Sequence, residues 1–301
     1  MNTTTNTTTR PRPTGERALV LGGGGSAGNA WLIGVIAGLL EGGLDVTEAD
    51  LVIGTSAGAT AAAQISGASP ADLLAAVLST PIPQAPSGPR GPISWAHLER
   101  TDAIIAASAD LPDMRRRIGA DAIELAATAG AAGRERWRET VAARLPRPHW
   151  PESNILLTVV DADTGEPVEL DRDSGVDLVD AVAASCAGGP AYAIGGRRYI
   201  DGGYRRSSEN ADLAAGYESV LVLSPLGGRT RHPEGWHSDL SAQLDELCAG
   251  GSRVEVILPD AGSREAFGDN MMNPATRPPA ARAGHRQGLR AAEKIAEFWR
   301  R

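Results

Sequence analysis

Aromatic side chains are scarce in this chain, at 4% of 301 residues, and there are only two cysteines, Cys186 and Cys248. Two cysteines without metal-ligand spacing or a repeated pattern leave no basis for a disulfide framework or a zinc site, and they read as reduced thiols. Positive charge is in deficit: 29 Lys and Arg against 37 Asp and Glu give a formal net charge of −8. An acidic chain is not built to neutralise phosphates, so nucleic acid is excluded as a partner and strong electrostatic docking on an anionic bilayer is disfavoured. The low aromatic content offers no interfacial belt either. Long apolar runs are missing; residues 31–40 come nearest, but Gly34 and Gly38 interrupt them and the run is too short to cross a bilayer. Residues 1–16 lack the apolar stretch of a signal peptide and read as a disordered tail. Carboxylates form no ligand cluster, so neither a metal nor another cofactor is expected. These absences point to a soluble, cytoplasmic protein.

What is present is a chain with 42% hydrophobic content and 36 glycines, enough for one large α/β domain over residues 17–301. Residues 17–21 (R-A-L-V-L) and 50–53 (D-L-V-I) read as buried strands. The first runs into a glycine loop over 22–28 and then a helix over 29–41, which Gly42 and Gly43 close; the second runs into a tight turn over 54–58 and a helix over 57–65. Strand–loop–helix twice over implies parallel strands with helices between them. Residues 81–92 read as a Pro/Gly/Ser loop, and 95–145 as amphipathic helix. The arginine-rich stretches at 114–117 and 134–138 read there as solvated faces, the alternative being a cap over substrate or membrane. A hairpin is expected with strands over 155–160 and 167–170. Beyond it come a helix over 176–184, strands over 197–200, 219–223 and 254–258, and helices over 238–247 and 280–300.

Three motifs carry chemistry. The first is Gly54-Thr55-Ser56-Ala57-Gly58. A serine nucleophile must stand clear of the backbone on a sharp strand-to-helix turn, where the residues two before and two after it crowd each other and glycine removes the clash. The helix that follows brings positive partial charge to the serine oxygen. The second motif is the loop at 22–28. Gly23, Gly25 and Gly28 satisfy the dinucleotide pattern G-x-G-x-x-G, which keeps a nucleotide-binding reading open. The next strand, however, ends in Ile53 rather than an acidic residue, and the Gly-Lys-Ser/Thr of a phosphate loop is absent. Consecutive glycines serve an oxyanion hole better, since they let successive N–H groups point at one oxygen. The third is Asp201-Gly202-Gly203 after a short strand, where the glycines permit tight reversal and close approach to another loop. Of five histidines, His232, His237 and His285 follow the serine in an order that would suit a triad, but each lies in a polar loop or helix.

Taken in order, G-G-G-G-S-A-G, G-T-S-A-G and D-G-G resemble the patatin-like phospholipases over residues 17–224. The resemblance implies an α/β, three-layer α/β/α fold with a mainly parallel central sheet and a helical cap or insertion at 80–150. It implies a Ser–Asp dyad: Ser56 as nucleophile, Asp201 as base, Gly23, Gly24 and Gly25 lining the oxyanion hole, and Gly54, Gly58, Gly28, Gly202 and Gly203 as structural glycines of the motifs. Ser185-Cys186-Ala187 and Asn210-Ala211-Asp212 look like further family features. The implied activity is hydrolysis of lipid or small esters, with transient membrane-surface contact and no cofactor; a silent scaffold of the same fold is the alternative. One departure stands out: where many members carry Arg or Lys in G-G-G-x-[RK]-G, this chain has Ala27.

Overall fold

The computed structural model of the chain describes residues 15–79 and 95–300. Strand β1 (Gly15–Leu21) leads to helix α1 (Gly25–Glu41), and β2 (Leu51–Gly54) to α2 (Ala57–Ile65) and α3 (Pro70–Ser79). Helices α4 (Trp95–Ala107) and α5 (Leu111–Ala142) precede the hairpin β3 (Ile155–Asp161) and β4 (Pro167–Leu170). Then come α6 (Leu178–Ser185), β5 (Tyr192–Ile194), β6 (Arg197–Asp201), β7 (Tyr217–Leu223), α7 (Leu240–Ala249), β8 (Arg253–Ile257), α8 (Ala261–Phe267) and α9 (Arg277–Trp299).

Hydrogen-bonded neighbours follow the path β5-β6-β3-β2-β1-β7-β8, with β4 paired to β3 off this path. Neighbours from β3 through β2, β1 and β7 to β8 run parallel, whereas β4, β5 and β6 form an antiparallel end. The fold is therefore α/β with a mainly parallel sheet. Side-chain alternation along β1 divides the core. Leu19 and Leu21 join the layer that includes α1, α2, α6 and α9, while Ala18 and Val20 join the opposite layer with Leu240 and Leu247 of α7. Helices α4 and α5 pack Ile105, Met114 and Ile118 against Val160 and Ile200.

Two expectations are corrected. Gly15 and Glu16 belong to β1 rather than to a disordered tail; Gly15 pairs with Tyr217, and the Asp50 carboxylate accepts the Glu16 N–H at 2.9 Å. The glycine loop is shorter than 22–28, because α1 begins at Gly25. Its first turn has no side-chain cap; instead the Ala27 N–H is donated to Met271 O at 2.8 Å, so a distant loop supplies an acceptor that no local signal reveals. Helices α3 and α8 and strand β5 were not anticipated. The expected loop at 81–92 and residues 1–14 lie outside the described residues.

Helix α1 is buried from Ala27 to Leu39, and its glycines have a specific partner. A Cβ on Gly34 or Gly38 would strike the carbonyl oxygens of Ala281 or His285 on α9, and one on Gly284 or Gly288 would strike those of Trp31 or Val35 on α1. What reads as an interruption of an apolar run is thus a seam where two helix backbones touch.

Candidate active site

Strand β2 stops at Gly54 and α2 starts at Ala57, so the chain reverses within two residues. Ser56 takes φ 54° and ψ −112°, a conformation that costs a non-glycine residue about 1–3 kcal/mol and persists only when its surroundings impose it. Those surroundings are identifiable. A side chain at Gly58 would overlap the Leu21 carbonyl, so the elbow lies against the end of β1. The Ser56 N–H is donated to Ser185 Oγ at 3.0 Å, and Cys186 Sγ donates to the Ser56 carbonyl at 3.0 Å. Residues 185–186 at the end of α6 therefore pin the serine from behind. Burial first, and the nearby Asp201 second, push the Cys186 thiol up to about 12, leaving it an inert packing group.

The sheet register brings Asp201 to the same point. Leu157 of β3 pairs with both Gly54 and Leu170, so β2 and β4 lie on opposite flanks of β3. Val159 and Val160 pair with β4 and with β6, so β6 shares the β2 flank and ends at Asp201 opposite Val159, two residues beyond the β2 terminus. Gly202 rests on the Thr158 carbonyl so closely that no Cβ fits there, and Gly203 donates its N–H to Asp201 Oδ1 at 2.8 Å. Burial pushes the Asp201 carboxyl up to about 6; the Gly203 N–H and the Ser56 side chain, acting as hydrogen-bond donors, pull against that rise.

Asn210 ties the two halves together. It is fully buried, and its Nδ2 reaches Thr55 Oγ1 at 3.0 Å, Thr158 Oγ1 at 3.3 Å and Gly202 O at 2.9 Å. Its backbone is left-handed, with φ 53°, and the Arg205 guanidinium grips Asp212 through two 2.9 Å bonds beyond it. Replacing Asn210 with Ala removes the donor shared by the elbow and the Asp loop and leaves buried acceptors unpaired. The expected result is a loss of about 2–4 kcal/mol in stability, read by denaturant melts.

In the glycine loop the Gly23 N–H is committed to Ser208 O at 2.8 Å, while the N–H groups of Gly24 and Gly25 have no acceptor among the described residues. Gly25 and Ala57, at the starts of α1 and α2, both line the cavity that Ser56 and Asp201 face. Gly28 packs on Pro225.

That cavity has a volume of about 930 Å³. One wall is the small-residue stretch of α5 around Gly130, where φ 64° kinks the helix; Arg134 and Trp137 follow one and two turns on. The arginine stretch at 134–138 is therefore only in part a solvated face: Arg134 lines the cavity, while Arg138 pairs with Asp180 at 3.0 Å. Of the histidines weighed by chain order, His232 bonds Ser238 at 2.9 Å and His285 bonds Glu41 at 2.8 Å, and none of His232, His237 and His285 lines the cavity. The histidine that lines the cavity is His97, held below its ordinary pKa by burial and bonded to the Gly188 backbone. Arg144 and Arg277 line it too. No local pattern marks these three; they reach the cavity only through the packing of α4, α5 and α9. Among the described residues no group of three or more His, Cys, Asp or Glu side chains is placed to hold a metal, and no helix is long and apolar enough to cross a membrane.

A serine on a strained strand–helix elbow, facing a half-buried carboxylate at the C-terminal edge of a mainly parallel sheet, places the chain with the α/β proteins that carry a nucleophile-elbow motif. The patatin-like phospholipase family model matches residues 19–215, and the chain belongs to that family. Among solved structures it is similar to VipD from Legionella pneumophila, at 15% identity and TM-score 0.42, covering 94% of this chain and 67% of that one. It is also similar to the type III effector protein ExoU, at 16% identity and TM-score 0.42, covering 94% of this chain. A third similar structure is full-length ExoU from Pseudomonas aeruginosa with SpcU, at 15% identity and TM-score 0.40, covering 96% of this chain. The chain spans about half the length of ExoU, 53% and 54% in the two structures. No curated protein matches it.

Proposed function

We propose that the protein hydrolyses lipid acyl esters through a Ser56–Asp201 dyad and an acyl-enzyme. The observation that carries this reading is the Asp201 carboxyl itself: it faces Ser56 and is raised to about 6 by burial. A free Asp near 4 would be a feeble base, whereas one near 6 remains ionised at neutral pH and holds a proton more tightly.

In this reading Asp201 takes the Ser56 proton as the oxygen attacks the acyl carbonyl. The oxyanion settles on the uncommitted amides of Gly24 and Gly25, joined by Ala57; Gly23, tied to Ser208, shapes the loop instead. The alcohol leaves with the proton from Asp201. Water, deprotonated by the same carboxylate, then attacks the acyl-serine; the fatty acid leaves and Asp201 returns the proton to Ser56 Oγ. The wall of small side chains around Gly130 suits an acyl chain. Leu98 and Met272, 42% and 48% exposed, both line the cavity, in keeping with transient contact at a lipid surface.

The test is the pH dependence of kcat/KM on a soluble ester. Since the base must be ionised, activity rises about tenfold per pH unit below the Asp201 pKa and levels off above about 6. A profile governed by a group near 7–8, or a flat one, rejects Asp201 as the base.

A further inference from the structure

Two cations that line the Ser56 cavity, Arg277 and Arg144, have no ion-pair partner among the described residues. Arg277 opens α9, and its Nη1 donates to Ser26 O at 3.2 Å and to Asn29 Oδ1 at 3.0 Å. Its Nε and Nη2 have no acceptor among the described residues, and neither is fully buried. No carboxylate pairs with Arg277 or with Arg144 among the described residues. Arg144 lies over the Trp137 ring, 5.4 Å from its centroid, and both residues line the cavity.

A buried amide network joins the Arg277 guanidinium to the Arg144 main chain. Asn29, 4% exposed, accepts from Arg277 and donates Nδ2 to Gln64 Oε1 at 2.9 Å. Gln64, 7% exposed, donates Nε2 to the Arg144 carbonyl at 3.0 Å. Burial depresses the Arg277 pKa first and the like charge of Arg144 second, with no anion to offset either. A desolvated guanidinium with free donors beside a second cation is costly to maintain, and an oxyanion placed between the two relieves that cost. Ser26, in the first turn of α1, lines the same space. Position 27 lacks the expected cation, but Arg277 delivers one to the adjacent Ser26 and Asn29 from a helix beyond the residues that match the family model.

We propose that Arg277 and Arg144 form an anion subsite in the Ser56 cavity that takes the phosphate-ester group of a lipid headgroup. The assignment of a lipid rests on the hydrolase reading above; the presence of an anion subsite does not, and the test separates them.

Binding is measured by calorimetry on the Ser56→Ala protein, so turnover plays no part. The probes are octyl phosphate, octanoate, octanol and inorganic phosphate. Octyl phosphate is expected to bind at least about tenfold tighter than octanol and than inorganic phosphate, and Arg277→Gln to lose at least about tenfold of that affinity, with Arg277→Lys in between. Equal binding of octyl phosphate and octanol overturns the subsite, as does an Arg277→Gln variant that weakens both alike, since the residue then merely supports the loop. Octanoate matching octyl phosphate reassigns the site to a product carboxylate, and inorganic phosphate matching it reassigns the site to a free anion; either result overturns the headgroup assignment. In parallel, the Ser56-intact enzyme is assayed on an anionic phospholipid and a neutral glyceride. The expected outcome is a preference for the anionic ester that drops at least about tenfold in Arg277→Gln. Absence of hydrolysis of either ester sinks the hydrolase reading while leaving the calorimetric result standing.

Discussion

Ester hydrolysis falls at least about 10³-fold in Ser56→Ala, and labelling by a fluorophosphonate probe disappears with it. The size of the effect follows from the site. Of the oxygen nucleophiles near the cavity, Ser56 is the one presented by a strained elbow, against a carboxylate and two helix N-termini. Folding should survive the change. The bonds that hold residue 56 are made by its main chain, to Ser185 and from Cys186, and an alanine keeps both. Thermal stability within about 0.5 kcal/mol of the parent is expected. Persisting probe attachment in Ser56→Ala would place the nucleophile elsewhere and remove the basis of the proposed chemistry.

Asp201→Asn is expected to cut turnover by a similar factor, at least about 10³-fold, while making the protein more stable. The sign comes from linkage. The folded carboxyl titrates near 6 against an ordinary value of 3.8. Between those values the native state holds a proton that the unfolded chain has released, so stability declines as pH rises through the window and then levels off. Above it the native fold carries a buried charge at a cost of roughly 1–3 kcal/mol. An amide removes the charge and can still accept the Gly203 N–H through its oxygen. Melting at pH 7 should therefore occur at or above the parent temperature, and the gap between the two proteins should close below pH 4. A variant that is inactive because it is unfolded shows the opposite shift, which makes melting the decisive companion to the rate.

Much of this architecture was legible in short segments. The strands at 17–21, 50–53 and 155–160 are continuous apolar runs because both their faces are covered, and the hairpin announces itself through D-A-D-T-G-E. Gly54, Gly58 and Gly202 could be read as positions of close approach, and each meets a backbone there. Asn210 stood out by its place after the D-G-G motif, although its bonds to Thr55 and Thr158 join three segments that only the sheet register brings together. The start of α1 was misplaced because four consecutive glycines hide a helix terminus whose acceptor, Met271 O, comes from far along the chain. Arg277, Arg144 and His97 were invisible as site residues for the same reason. Nothing in a local stretch tells which arginine will be turned inward by the packing of a helix more than two hundred residues from the elbow.

The contact between α1 and α9 determines more than the seating of a terminal helix. Four glycines, two from each partner, are keyed into one another's main chains, and sliding by a single turn would put side chains where only hydrogens fit. The C-terminal helix thus has one registration available to it. Residue 277, at its leading end, is located by that lock rather than by loop chemistry, and the amides at the head of α1 are indexed by the same joint.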